Sequence, residues 1–122
     1  MIFSRTAEYA IRAMVYMAEL PDQKYAMVRE IADHEKIPTH FLAKILQQLA
    51  RQGMLRSSKG PTGGFQLRRP AEKIRLLDVI TALDGAGASE DTGFPDHRPW
   101  KALRSRIMDY LRRNTIATLA HR

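Results

Sequence analysis

Five side chains spaced three or four residues apart form a row that is the clearest candidate for a binding surface in this sequence. The row consists of His40, Ala43, Lys44, Gln47 and Arg51. Spacings of three and four residues place these side chains on one face of an α-helix. A glutamine can bind adenine, a lysine can bind guanine or a phosphate, and the methyl group of an alanine can contact thymine. The row therefore has the composition of a helix face that contacts base pairs in a major groove.

A glycine-rich turn offers a second set of contacts. The run from Ser57 to Pro70 predicts two short alternating strands joined by residues 59–64. Hydroxyl groups and glycine amides in such a turn can approach phosphates, and a lysine at its tip can enter a narrow minor groove. A basic hairpin after an amphipathic helix is typical of a winged helix-turn-helix, which indicates duplex nucleic acid as the partner. The candidate contacts are Ser57, Ser58, Lys59, Gly60 and Thr62.

The distribution of charge favours the same class of partner. The 122 residues include 20 lysines and arginines against 13 acidic residues, a formal net charge of +7. Between residues 40 and 75 the only acidic residue is Glu72, whereas eight lysines and arginines occur there. An evenly charged surface would only favour solubility. Cations concentrated around a turn and a polar helix face favour binding to a polyanion.

Other kinds of function are disfavoured by what the sequence lacks. It contains no cysteine, which excludes disulfides, thiolate metal ligands and a thiol nucleophile. The four histidines lack zinc-ligand spacing, and the glycine-rich turn lacks the GK[ST] of a phosphate-binding loop. We therefore expect no enzyme, no metal site and no cofactor. Since no apolar stretch is long enough for a signal peptide or a membrane span, we expect a cytoplasmic protein without membrane contact.

Hydrophobic periodicity predicts the elements that position the candidate contacts. We expect one helix from Ser4, as N-cap, to about Glu19, and a second from Val28 to Glu35. Thr39 is the expected N-cap of a third helix that Gly53 ends, and the positive end of that helix also suits a phosphate. After the hairpin we expect a short strand near residues 73–76 and a fourth helix that stops at residue 85. The expected inner stripe of the third helix contains Phe41, Leu42, Ile45, Leu46 and Leu49.

The sequence divides at residues 85–99, whose glycine, proline and acidic residues predict a loop. Residues 1–84 are expected to form a winged helix-turn-helix domain, mainly α-helical with a small β-hairpin. Residues 100–122 are expected to form a long helix and a short last helix that Thr115 caps. Apolar residues recur at near-heptad spacing on the long helix, which predicts a homodimer interface. They are Trp100, Leu103, Ile107, Tyr110 and Leu111.

Several motifs make the chain similar to one known family. EYAIRAM begins at Glu8, EIADHEKIP at Glu30, and FLAKILQQLARQGMLRSSKGPTGGFQLRRP at Phe41. The similarity continues through IRLLDVITALDG from Ile74 and HRPWKALRSRIMDYLRRNTIATLA from His97. In these motifs the chain resembles the bacterial Rrf-two family of winged helix-turn-helix transcription regulators over nearly its full length.

The resemblance implies a homodimer that binds a palindromic operator and is joined through the helix starting near Trp100. It implies that the third helix enters the major groove, where His40, Ala43 and Lys44 would face bases. By the same likeness Lys59 and Gly60 would form a wing tip in the minor groove. The family usually has arginine at the position of Lys59 and often a polar or acidic residue at Ala43, so the operator sequence does not follow from the likeness.

The resemblance also concerns sensing. Many members carry three cysteines in the loop before the long helix, and in some a nearby histidine completes an iron–sulfur site. Here Phe94 stands where the last cysteine is expected, while His97 matches the histidine. Because a cluster normally needs thiolates, we expect a cysteine-free member without one. Sensing would then depend on a small-molecule effector, on a protein partner, or on neither.

We therefore predict a sequence-specific, DNA-binding transcription regulator, a repressor that binds its operator as a homodimer. The alternative is a protein-interaction adaptor whose winged helix docks on a partner enzyme and whose basic face is incidental. The two hypotheses differ in whether the protein binds duplex DNA at physiological salt.

Overall fold

Helices dominate the part of the chain that the structure describes, with one two-stranded hairpin among them. The computed structural model describes residues 4–21, 24–59, 63–84 and 100–120. The first elements are α1 (Arg5–Ala18), α2 (Val28–Glu35), α3 (Thr39–Arg51), β1 (Leu55–Ser58) and β2 (Gly64–Leu67). A 3₁₀ turn at Ala71–Lys73 precedes α4 (Leu76–Asp84), α5 (Trp100–Arg113) and α6 (Ile116–Leu119). The predicted class, mainly α-helical with a small hairpin, is confirmed.

The first helix begins at a serine cap that also contacts the end of α4. Ser4 Oγ accepts a hydrogen bond from the Ala7 N–H at 3.1 Å and donates one to Asp84 Oδ1 at 2.6 Å. The Ser4 N–H donates to Asp84 Oδ2 at 3.2 Å. The predicted cap is therefore confirmed, and it joins residues that lie 80 positions apart in the sequence.

The third helix and its N-cap each start one residue earlier than predicted. Pro38 is the N-cap, with φ −57° and ψ 126°, and Thr39 is already helical. The prediction that the Thr39 side chain caps this helix is wrong, because the proline ring fixes φ and its extended ψ lets the helix begin at the next residue. The other end agrees with expectation, since Gly53 follows the C-cap with a φ of 83°.

One core contains side chains from every described helix and from both strands. Its largest fully buried members include Met14 of α1, Ile31 of α2 and Leu46 of α3. Helices α5 and α6 contribute Met108 and Ile116, which are 6% and 0% exposed. The helices after residue 99 therefore share a core with the winged helix-turn-helix elements before residue 85.

The strand expected near residues 73–76 is reduced to one bridge pair, between Arg75 and Thr115. The Leu76 N–H donates to the Asn114 carbonyl at 2.9 Å and ties α4 to the end of α5. A longer strand does not form because the preceding residues turn through Ala71–Lys73. The described residues contain no helix both long and apolar enough to cross a membrane. The predicted loop at residues 85–99 lies outside the described residues.

Candidate nucleic-acid interface

The polar row predicted from the sequence lies on the outer side of α3. His40, Lys44, Gln47 and Arg51 are exposed, and Ala43 is half-buried between them. We call these five residues the α3 polar face. The side chains that alternate with them, Leu42, Ile45, Leu46 and Leu49, are at most 2% exposed and hold the helix against the core. No described acidic group forms an ion pair with the α3 polar face, so its cations are available to an anionic partner.

The hairpin forms the wing, defined here as β1, β2 and the turn between them. Leu55 pairs with Leu67 and Ser57 with Phe65, so these four side chains share one face, as alternation predicts. Ser57 and Lys59 are exposed and Ser58 is half-buried. The predicted contacts Gly60 and Thr62 lie outside the described residues.

A main-chain bridge attaches the wing to the segment that leads into α2. The Ala26 N–H donates to the Phe65 carbonyl, and the Phe65 N–H donates to the Ala26 carbonyl, both at 2.8 Å. Next to this bridge, a Cβ atom at Gly64 would lie 2.4 Å from the Ala26 carbonyl oxygen. Only glycine allows this close approach, so Gly64 fixes how the wing sits beside the helices.

Arg12 of α1 holds the end of α2 through hydrogen bonds to Glu35. Arg12 Nε donates to Glu35 Oε1 at 3.2 Å, and a second guanidinium nitrogen donates to the Glu35 carbonyl oxygen. The remaining nitrogen contacts Glu8 Oε2 at 3.4 Å. Because α2 ends at Glu35, these contacts hold against α1 the end of α2 that leads into α3.

A tyrosine makes a second link between α1 and α2. Tyr16 donates its hydroxyl hydrogen to Glu30 Oε2 at 2.7 Å, and Glu30 Oε1 accepts from the Met27 N–H at 3.1 Å. The hydrogen bond to the carboxylate, followed by burial of the ring, raises the pKa of Tyr16 to about 12. One carboxylate therefore both caps α2 and holds it to α1.

The first aromatic residue of α3 is not part of the inner stripe. Phe41 is 37% exposed, and its ring contacts Tyr9 edge-to-face with centroids 5.6 Å apart. The prediction that Phe41 belongs to the buried stripe is therefore wrong. Phe41 lies at the edge of the core, where the Tyr9 ring of α1 contacts it.

The apolar surface of α5 is partly buried in its own chain and partly exposed. Met108 and Leu111 are 6% and 7% exposed and lie in the core of their own chain. Leu103 and Tyr110 are 39% and 50% exposed, and Ile107 is half-buried on the same side of the helix. The side chain of Trp100 is outside the described residues. Burial of Leu111 leaves little of its surface for a second chain.

Comparisons with known proteins decide the family. A family model described as an iron-dependent transcriptional regulator, Rrf2, matches residues 3–122. The chain belongs to the Rrf2 (Rrf-two) family. A protein of Aquifex aeolicus named as an HTH-type transcriptional regulator is 37% identical, over 98% of this chain and 91% of its own length. A similarly named protein of Mycobacterium tuberculosis is 34% identical, over 98% of this chain and 81% of its own.

Solved structures of the Rrf2 family share the fold. CymR, the global cysteine regulator of B. subtilis, superimposes with a TM-score of 0.82 at 23% identity, over 97% of this chain and 95% of that chain. CymR of Staphylococcus aureus gives 0.80 at 28% identity, over 98% of both chains. The IscR of T. potens gives 0.74 at 21% identity, over 95% and 83%. This chain is thus a DNA-binding transcription regulator of a family whose named relatives are transcription regulators.

Because the family is described as iron-dependent, an iron–sulfur cluster is the cofactor to consider for this chain. The chain has no cysteine, so it supplies none of the thiolates that normally hold an iron–sulfur cluster. Within the described ranges no three histidine, aspartate or glutamate residues lie close enough together to hold a metal ion. The donor set of this member does not fit a cysteine-bound cluster.

Sequence reasoning missed the residues that position the site. The Arg12 and Tyr16 links and the bridge at Ala26 join separate elements, and periodicity carries no signal for such contacts. One local signal existed for part of this arrangement. Glu30 is the third residue of α2, a position where glutamate commonly accepts from the N-cap amide.

Proposed function

We propose that this Rrf2-family protein is a repressor that binds a palindromic DNA operator as a homodimer. The proposal places the α3 polar face in the major groove and Lys59 at a wing tip in the minor groove. The observation that carries it is the joint exposure of that face and of the wing, on elements that share one core. The main-chain bridge at Ala26 also ties the wing to the segment that leads into α2.

The exposed apolar residues of α5 support the homodimer. Leu103 and Tyr110 are seven residues apart and Ile107 lies between them, which places all three on one side of the helix. The neighbouring residues Met108 and Leu111 already pack in the core of the chain, and Ile107 contacts the edge of that core. A second copy that presents the same side of α5 would remove these residues from water, and two-fold pairing is the commonest symmetry of soluble oligomers.

A two-fold dimer predicts the form of the operator. Two recognition helices related by a two-fold axis contact two half-sites in inverted orientation, separated by about one helical turn of DNA. If the operator overlaps a promoter, occupancy by the dimer blocks transcription, and this is the sense in which we propose repression.

Selection of bound fragments from a random DNA pool tests the proposal. We expect enrichment of inverted repeats, tight binding at physiological salt, and two chains for each recovered duplex. Retention by any duplex with no enriched sequence would contradict sequence-specific regulation. Failure to bind duplex, together with recovery of a stoichiometric enzyme partner, would favour the adaptor hypothesis.

A further inference from the structure

A cleft behind the wing is not explained by DNA recognition. It has a volume of about 670 Å³ and lies between the end of α1, the strands of the wing, the segment after β2, and α6. This size is within the range of about 300–1,000 Å³ typical of pockets for small molecules. All of its lining residues belong to the described part of the chain.

The floor and the rim of the cleft differ in chemistry. We call the buried and half-buried apolar residues of the lining, among them Met17, Leu20 and Leu67, its floor, and the exposed charged residues its rim. The rim carries four exposed cations and one acidic residue. The cations are Lys24, Arg56, Arg68 and Arg69, and the acid is Glu72.

The rim cations lack partners within the described ranges. None of the four forms an ion pair there, although Arg75, a short distance along the chain, is paired with Asp78 at 2.8 Å. Like charges brought to one rim repel each other, and an anion between them removes that repulsion.

We propose that this cleft binds a small organic anion that combines a carboxylate with an apolar portion. The acidic group would lie between the rim arginines, and the apolar portion would cover the floor. Inorganic phosphate is too small to cover that floor. A DNA backbone carries only small sugars beside its phosphates and no extended apolar group, so it would leave the floor in contact with water.

The cleft is also placed to affect DNA binding, and this part of the inference rests on the proposed function. Its walls include Arg56 of β1 and Gln66 of β2, so a ligand there contacts the wing directly. The same ligand would contact Ala117 of α6 and Ala120, the residue that follows α6. If the anion favours one position of the wing, anion and operator must change each other's affinity by the same factor.

Titration calorimetry on the full chain without DNA tests the site. The probe is 4-phenylbutyrate, and 4-phenylbutyramide serves as the uncharged analogue with the same apolar portion. We expect the carboxylate to bind at least about fivefold more tightly than the amide, since only the carboxylate can pair with the rim arginines.

Charge reversal locates the bound anion. The double variant Arg68→Glu, Arg69→Glu should weaken binding of the carboxylate by about tenfold or more. The matched control, Arg29→Glu with Arg113→Glu, makes the same change in net charge at exposed residues outside the cleft and should bind as the unmodified chain does. If the first variant does not fold, as judged by circular dichroism, Arg68→Gln with Arg69→Gln replaces it with the same expected direction.

Three results would overturn the proposal: equal affinity for acid and amide, equal weakening in both variants, or no binding of the acid at about 10 mM. A further result would also overturn the proposal: the unmodified chain does not bind the probe, and the Arg68 and Arg69 variant loses DNA affinity and salt dependence. These arginines would then contact DNA phosphates. The titration needs no DNA, so it separates the two proposals. If the chain binds the anion but does not bind duplex DNA, the cleft proposal holds and the proposed function fails.

Discussion

At the scale of single residues, the exposed polar groups should divide into those that set affinity and those that set specificity. Contacts to phosphates position a protein and depend strongly on salt, whereas contacts to base edges carry the sequence information. Lys59 at the wing and Gln47 on α3 represent the two kinds.

Lys59→Ala should weaken binding to every duplex and reduce its dependence on salt. Each lost phosphate contact lowers the slope of log K against log salt by about 0.9, or about 1.8 for a dimer with two wings. Fluorescence anisotropy between low and physiological salt measures this slope. Lys101→Ala, which removes one exposed cation from α5, should leave the slope unchanged, and an unchanged slope for Lys59→Ala would show that the wing lysine contacts no phosphate.

Gln47→Ala should relax sequence preference with little change in the slope. A side chain that binds a base edge contributes about 1–3 kcal/mol of discrimination between correct and incorrect base pairs. Repeating the pool selection with the variant should show loss of preference at one position in each half-site. Identical profiles for the two proteins would remove Gln47 from the base-reading residues.

At the scale of elements, the links between α1, α2 and the wing determine how the site is presented. Tyr16→Phe removes the hydrogen bond to Glu30 and should lower the free energy of unfolding by about 1 kcal/mol. It should also change the dependence of stability on pH. The pKa of Tyr16 rises from 10.0 to about 12 in the fold, so its contribution is complete below pH 10 and is lost as the pH rises towards 12.

Urea denaturation of both proteins between pH 8 and 12 measures the Tyr16 contribution. The difference between the unmodified chain and Tyr16→Phe should be constant up to about pH 10 and should shrink above it. A difference that stays constant through this range would show that the phenol loses its proton as readily in the fold as in the unfolded chain.

The close approach at Gly64 gives a second test at this scale. Gly64→Asn should destabilise the fold by about 1–3 kcal/mol, because its Cβ would clash with the Ala26 carbonyl. The matched substitution Gly53→Asn should have a small effect, since asparagine tolerates a positive φ and no atom lies within 4 Å of that Cβ. Equal losses in thermal or urea unfolding would contradict the role of the bridge.

Sequence reasoning predicted elements better than it predicted their contacts. Periodicity placed α2 at its observed bounds and identified the cap at Ser4, because both depend on neighbouring residues. It misjudged Phe41 and did not show that Leu111 is buried in its own chain. Spacing shows that a side chain lies on an apolar stripe but not what covers that stripe. The bridge between Ala26 and Phe65 joins segments about 40 residues apart, so no pattern of neighbouring residues predicts it.

At the scale of the whole molecule, the exposed and the buried parts of the apolar surface of α5 predict different outcomes. Leu103→Lys with Tyr110→Lys should convert a dimer to folded monomers, since charged groups on the exposed side oppose its burial. Ala102→Lys with Ser105→Lys adds the same charge at exposed positions outside that side and should leave the dimer intact. Sedimentation equilibrium distinguishes the two, and a monomeric unmodified chain would contradict the dimer.

Leu111 should act on the fold of each chain. Leu111→Ala should lower the free energy of unfolding by about 2–5 kcal/mol, because it leaves a cavity in the core of its own chain. Denaturation at several protein concentrations separates this loss from a loss of association. A stability loss confined to low protein concentration would instead place Leu111 in the interface.

The bridge between Ala26 and Phe65 has a consequence for how this protein can diverge. Both of its hydrogen bonds join main-chain atoms, so mutations can replace most side chains around it without breaking the connection. The residues proposed to contact DNA, in contrast, are mostly exposed side chains that one substitution can change. Substitutions on the wing and on α3 can therefore change the preferred operator while the main-chain connection is kept. The TM-score of 0.82 to the CymR of B. subtilis, at only 23% identity, is consistent with a fold that persists as side chains change.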